Sequence, residues 1–395
     1  MKKFIYLDHN STAPMLPEVA DRMTACFAAG FVNPASQHRP GQLARKHLED
    51  SRRKIANFLG AKTSGMDTDQ LVFTSGGTES NNLAILGLVN TLDSNAKNGT
   101  SVFSPLHILV SSIEHPSVIG AAEQLLRLGH SVDKIPVDSD GVCCVEKLQT
   151  MIKDNTKLVS LMLANNETGV VQPVNEVARF CRDRKILCHT DAVQAVGKIP
   201  VHFRELSVDA LSFTGHKFGG PRGIGGLVLR HGLTPQPLQF GGFQQMALRP
   251  GTEDVAIVAG METALEAFHE NATNYYSNVL VMRDHLEKTL LSRFPDLVVN
   301  GAKANRLPHV SNLSFSNVDR QSFLMAADMK GLAISTGSAC ASGSSELSPV
   351  LVAMGLEKAI VENSVRISLG VSNTTEEIED TIEIISDILN QFSEN

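Results

Sequence analysis

Nowhere does the 395-residue chain approach the roughly 20 consecutive apolar residues that a membrane-crossing helix needs. A basic surface is also missing. Lys+Arg number 35 against 42 Asp+Glu, a net charge of −7, which argues against a nucleic-acid partner. Cysteine is sparse. Cys26, Cys143, Cys144, Cys181, Cys188 and Cys340 include no CxxC pair, so neither a zinc site nor a disulfide framework is indicated. Five of them read as buried thiols, and Cys340 is set apart below. No export signal is expected, because the apolar run that follows Lys2 and Lys3 stops at Asp8. A cytoplasmic protein is the expectation. There is no internal repeat. The polar stretch 95–104 reads as a surface loop.

The chain does have an ordinary globular composition, 42% hydrophobic and 19% charged, which excludes general disorder. Its length suffices for a large core and more than one domain. Short runs rich in β-branched residues recur at 71–75, 107–112, 157–163, 186–191, 209–214 and 226–230. Amphipathic stretches such as 175–185 separate several of them. This alternation predicts an α/β fold with a mainly parallel sheet, and strands apolar throughout predict cover on both faces. An early helix is expected over 17–29. Past Gly251 the pattern changes. Thr252-Glu253-Asp254 reads as a helix start, with a capping hydroxyl and acids in the first turn, before a long helix to about Ser292. Strands at 309–316 and 364–370, a helix near 319–330 and a final helix after Thr374 are less regularly interleaved. The expected division is a large α/β unit over 15–260 and a smaller α+β unit from 1–14 with 261–395, which carries Cys340.

Several motifs carry chemistry. In TSGGTESNN a strand meets two glycines and Thr78 opens a helical pattern, offering backbone N–H groups and a hydroxyl to a phosphate. The alternative is a tight turn with Thr78 as a cap. In FTGHKFGGPRGIGG, Lys217 follows a strand among glycines. It has the setting of a lysine that forms a Schiff base with pyridoxal phosphate, with Thr214 and His216 beside it for the phosphate, or else it is a solvated loop lysine. Asp191 ends the strand before HTDAVQAVGK, where a buried carboxylate would keep a pyridine nitrogen protonated; without a cofactor it would cap a helix. Gln194 would face the same pocket. His115 closes another strand before Pro116 and can stack on a ring and move protons, or be structural. Cys340 lies amid small residues in ISTGSACASGSSELS, exposed and reactive in one reading, an accidental surface thiol in the other. Arg366, on the strand SVRISLG, would clamp a carboxylate or form a surface ion pair.

Taken in order, these motifs resemble the class V aminotransferase family, fold type I of pyridoxal enzymes, and within it the cysteine desulfurases of the NifS/IscS type. The resemblance starts at YLDHNST and NPASQH. It runs through TSGGTES, IEHPSV, NNETGVVQP, HTDAVQ, TGHKFGGPRGIG and RPGTED, and ends with STGSACASGS and SVRISLG. It implies a seven-stranded sheet domain with a smaller α+β domain, in a homodimer. It implies that Lys217 holds pyridoxal phosphate, that Gly77, Thr78, Thr214 and His216 bind its phosphate, and that Thr252 reaches that phosphate from the neighbouring subunit. Asp191 would pair with the pyridine nitrogen, His115 stack on the ring and Gln194 bond the phenolic oxygen. Asn166 would contact cofactor and substrate, and Arg366 the substrate carboxylate. The implied reaction takes sulfur from L-cysteine onto Cys340, leaving L-alanine and a persulfide for an acceptor protein of iron–sulfur assembly or tRNA thiolation. Two positions depart from the pattern: Thr214 stands where many relatives have serine, and Pro250 replaces a small residue. The rival readings are selenocysteine cleavage or another pyridoxal reaction that needs no Cys340, and a non-catalytic scaffold subunit.

Overall fold

The computed structural model describes residues 4–96, 104–315, 318–337 and 347–393. Strand β1 (Ile5–Tyr6) comes first. The large sheet is then built from β2 (Gln70–Thr74), β3 (His107–Ser111), β4 (Ser131–Ile135), β5 (Thr156–Ser160), β6 (Leu187–Asp191), β7 (Ala210–Thr214) and β8 (Gly225–Leu229). Their spatial order is β2-β8-β7-β6-β5-β3-β4. Neighbours run parallel except at β8, which is antiparallel to both β2 and β7. The expected seven-stranded, mainly parallel sheet is what forms.

Strands β3, β7 and β8 are buried at every position, because helices cover both faces of a parallel sheet. Strand β4 was not legible as a strand. It lies at the sheet edge, partly exposed, and carries Asp133 and Lys134, charges that discourage a further strand from pairing there. Of the stretch 95–104, Asn95 and Ala96 end a helix over Leu88–Ala96 rather than forming loop, and residues 97–103 lie outside the described residues.

Four more strands follow: β9 (Val298–Val299), β10 (Val310–Ser314), β11 (Leu332–Ala333) and β12 (Ser364–Ser368). They form an antiparallel sheet of order β12-β10-β9 and a parallel pair of β1 with β11. The helix Val255–Arg293 has 39 residues, a length of about 58 Å at 1.5 Å per residue. Val258, Met261 and Leu265 join the core around the large sheet. Val279, Leu286 and Leu290 join a second core with Ile5, Leu7, Phe323, Val365 and Ile382. Its start differs from the expected one. The cap is Asp254, whose Oδ1 accepts the N–H groups of Ala256 and Ile257, and its first turn holds no acid. Thr252 lies before the cap, in extended chain. A carboxylate in the cap position satisfies two orphan donors at once.

The N-terminal segment ties these parts together. After β1, the Asn10 N–H donates to Ser368 Oγ at 3.0 Å. Ala13 and Leu16 then bond the carbonyls of His216 and Gly219. No helix among the described residues is long and apolar enough to cross a membrane.

Candidate active site

The C-terminal ends of β2, β3, β5, β6 and β7 lie along one edge of the large sheet, the place where open α/β sheets bind ligands. The turns that follow them carry Gly77 and Thr78, His115, Asn166, Gln194, and His216 with Lys217. Asp191 is the last residue of β6.

After β2 the chain turns at Gly76 into a helical run. It is α from Gly77 to Asn82, π from Leu83 to Gly87 and α again from Leu88 to Ala96. A Cβ on Gly77 would come within 2.7 Å of Val193 Cγ2, so only glycine lets the helix start so close to the turn after β6. Glu79 accepts the Ser75 N–H at 2.6 Å and is itself held by Arg249 at 2.9 Å, which fixes the turn. Gly77, Thr78, Thr214 and His216 line one pocket of about 430 Å³ together with Thr12, Ser75 and Arg222. Helix N-terminal N–H groups, hydroxyls and a cation make this a place for a phosphate. Arg222 was not singled out from the sequence, although it lies in the motif FTGHKFGGPRGIGG. Thr214 Oγ1 donates to the Ile224 carbonyl at 2.8 Å. Burial, then the Lys217 cation, push His216 down to about 4, so it is neutral at pH 7.

Asp191 is 4% exposed. Its Oδ1 accepts the Val193 N–H at 2.9 Å, the local bond of a capping residue, and its Oδ2 accepts Asn81 Nδ2 at 2.7 Å. No cationic side chain among the described residues forms an ion pair with it. A buried carboxylate held only by neutral donors is suited to the N–H⁺ of a pyridinium ring. Asn81 also donates to Ser117 Oγ, which lies 2.8 Å from His115 Nδ1. The Ser117 N–H donates to that same Nδ1 at 3.1 Å. His115 is therefore the cap of the helix Pro116–Arg127, the structural reading of it. Burial lowers its pKa, Asp191 opposes that and Lys217 adds to it. Next to it, Glu114 is fully buried. Burial, and then the nearby Asp191 charge, hold its carboxyl well above the usual range.

Lys217 Nζ donates to the carbonyls of Asn10 and Ser11 at 2.6 and 2.9 Å. Gln194 Nε2 donates to the same Asn10 carbonyl at 3.1 Å, which brings Gln194 beside the lysine amine. Asn10, 1% exposed, was missed as a site residue. The motif YLDHNST was recognised, but only tertiary contact reveals its role as a hub. Its Nδ2 donates to the Asn166 carbonyl at 3.0 Å.

Arg366 on β12 is 2% exposed, so the surface ion-pair reading fails and a buried one replaces it. Its Nη1 donates to the carbonyls of Asn166 and Gly337 at 3.0 and 3.2 Å. Its Nη2 donates to Asp8 Oδ1 at 2.6 Å and Ser11 Oγ at 3.0 Å. Its Nε is buried without a hydrogen-bond partner among the described residues. Glu167, adjacent to Asn166, accepts Ser348 Oγ at 2.6 Å, and burial raises its pKa. Gly337 and Ser348 thus bracket the stretch that carries Cys340, which itself lies outside the described residues. The structure does not bring Thr252 to the lysine of its own chain. It is exposed, in a shallow pocket with Cys26, Phe31 and Asn33. The other five cysteines are free thiols, four buried and Cys144 half-buried.

The profile of the family described as Aminotransferase class-V matches residues 5–380. The chain belongs to the class V aminotransferase family. Class V aminotransferases are pyridoxal-phosphate-dependent enzymes. A cysteine desulfurase IscS of Dictyoglomus turgidum is 38% identical over 392 residues, 99% of this chain and 96% of that protein. Among solved structures, a NifS-like protein aligns over 98% of this chain and 100% of its own, at 32% identity and a TM-score of 0.88. SspA in complex with cysteine aligns over 93% and 99%, at 29% identity and a TM-score of 0.79. Within this class V frame the residues fit the cofactor. The pocket lined by Gly77, Thr78, Thr214, His216 and Arg222 suits its phosphate, and the Asp191 carboxylate, held only by Asn81 and the Val193 N–H among the described residues, suits its ring nitrogen.

Proposed function

We propose that the protein is a cysteine desulfurase, which uses pyridoxal phosphate to move sulfur from L-cysteine to Cys340 and release L-alanine. One juxtaposition carries this reading. The guanidinium of Arg366, at the lysine end of the site, holds Gly337, the last described residue before the Cys340 segment. Relatives named cysteine desulfurase, and a neighbour solved with cysteine, support it.

Pyridoxal phosphate, when bound, supplies an electron sink for the charge that develops at the substrate Cα. Gly77, Thr78, Thr214, His216 and Arg222 would hold its phosphate, Asp191 its ring nitrogen and Gln194 its phenolic oxygen, with His115 stacked on the ring. Lys217 would hold it through its Nζ, and its free amine would carry the Cα proton. Arg366 takes the substrate carboxylate. Its Nη groups are engaged by Asn166, Gly337, Asp8 and Ser11, so a carboxylate bound through Nη would displace one of them, the Gly337 carbonyl among them. Substrate binding is thereby linked to the base of the Cys340 segment. Asn166 orients the substrate from the same side. The Cys340 thiolate then attacks the substrate sulfur. The new S–S bond forms as the Cβ–S bond breaks, the bond pair passes to Cβ, a proton completes the alanine methyl group, and Cys340 keeps a persulfide. An acceptor protein of iron–sulfur assembly or tRNA thiolation takes that sulfur on, and cytoplasmic placement follows from this role. The active form is a homodimer, in which the exposed Thr252 reaches the phosphate site of the second copy.

The test adds L-cysteine to the cofactor-loaded protein and measures alanine, sulfide and protein persulfide for wild type and Cys340→Ala. Cysteine-dependent alanine that Cys340→Ala loses is the expected result. Alanine release at an unchanged rate in Cys340→Ala overturns the role of Cys340. It would leave a selenocysteine lyase or another class V reaction. A protein that never develops a visible cofactor band would instead be a scaffold subunit.

A further inference from the structure

Lys198 is 4% exposed and lies one helical turn's spacing beyond Gln194. Gly197 before it has φ +71°, and a Cβ there would strike Phe218 Cβ at 2.3 Å, so the chain passes tightly beneath the lysine turn. Lys198 Nζ lies 3.2 Å from both Asn10 Oδ1 and Gln194 Oε1. It makes no ion pair with a carboxylate among the described residues. The groups facing it are the cations Lys217 and Arg366 and the imidazoles His9, His216 and His309. Burial, reinforced by those cations, pulls its pKa well down. In either protonation state an amine still donates to both oxygens.

A carboxamide has a donor end and an acceptor end, and a half-turn exchanges them. At Asn10 the oxygen end is taken twice, by Lys198 and by His309 Nε2 at 2.8 Å, which leaves Nδ2 for the Asn166 carbonyl. At Gln194 the oxygen end is taken by Lys198. Its Nε2 then shares the Asn10 carbonyl with Lys217 Nζ. We propose that Lys198 is a positioning residue that locks the Asn10 and Gln194 amides with their NH₂ ends toward the cofactor site. A buried amine without a counter-ion is costly, and no apolar side chain of that length can select an amide orientation.

The inference rests on the reading of Gln194 as a donor to the cofactor's phenolic oxygen. That donor competes with the protonated Lys217 nitrogen for the oxygen, so losing it raises the pH midpoint of the cofactor's visible band. The experiment titrates that band in the holoenzyme for wild type, Lys198→Met, Gln194→Leu and the double variant, with cofactor content measured alongside. Lys198→Met and Gln194→Leu are each expected to raise the midpoint by about half a pH unit or more, about threefold in proton affinity. In the Gln194→Leu background, Lys198→Met is expected to add nothing, since the two act through one bond. Additive shifts overturn the lock, because Lys198 would then act only through its charge. A shift in Gln194→Leu but not in Lys198→Met also overturns it while leaving the Gln194 reading intact. No shift in either overturns both. If Lys198→Met does not fold, Lys198→Gln keeps donors on a shorter side chain. It is then expected to give a smaller rise in the same direction, and an unmoved midpoint overturns the proposal.

Discussion

Replacing Glu114 by Gln tests whether burial raises the pKa of the acid beside the site. Glu114 is fully buried, and its Oε1 accepts the Met162 N–H at 2.7 Å. Burial and the Asp191 charge raise its folded pKa well above 4.5. The folded protein therefore binds a proton that the unfolded chain has already lost once the pH exceeds the unfolded value. In that window the unfolded state binds one proton fewer, so stability falls as pH rises, by about 1.4 kcal/mol per pH unit for this group. The contribution is fully present below the unfolded pKa and is lost as pH rises through the folded one. An amide in Glu114→Gln keeps the acceptor for Met162, carries no charge and does not titrate. The variant should gain on wild type by about that slope between pH 5 and the folded pKa of Glu114. Turnover should stay within about threefold, since Asp191 keeps its neighbours and its charge. With no tryptophan in the chain, far-UV circular dichroism is the signal for urea unfolding at several pH values. Other titrating groups cancel in the difference between the two proteins. A stability difference that does not change with pH would refute the reasoning, because Glu114 would then be charged in the folded state or exposed.

Three further outcomes follow from the geometry. Gly77→Ala places a Cβ 2.7 Å from Val193 Cγ2, an overpacking cost of about 1–3 kcal/mol. It should appear as that loss of stability in urea unfolding, and an unchanged stability would refute it. Arg366→Lys keeps the charge but loses the planar fork, so KM for L-cysteine should rise by about 10- to 100-fold, and steady-state kinetics check it. Asp254→Ala removes the acceptor for two backbone N–H groups of the long helix. It should cost about 1 kcal/mol in urea unfolding with kcat unchanged.

Much of the fold was legible because strand and helix periodicities are local. The runs at 71–75, 107–112, 186–191, 209–214 and 226–230 all mark strands of the large sheet. Strand β4 was not legible, since an edge strand is half solvated and Asp133 and Lys134 interrupt its apolar pattern. The helix start expected at Thr252 lies two residues later, with Asp254 as the cap, because Thr252 and Asp254 both have the chemistry of a cap. The candidate site was legible where a single residue type at a strand end is chemically demanding: Lys217, Asp191 and His115. It was not legible where a residue matters only for what it touches.

The sequence by itself determined the class of chemistry and the order of the elements that carry it, since both depend on residue identity and on spacing along the chain. Only the tertiary structure decided which polar groups converge. Asn10 joins Lys217, Gln194, Lys198, His309 and Asn166, partners from 156 to 299 positions away. It decided that Glu114 is buried beside Asp191, which raises its pKa, and that Arg366 is an interior ion pair with Asp8 rather than a surface one. Burial and long-range contact set protonation and hydrogen-bond direction, and neither quantity is a property of a residue's neighbours in sequence.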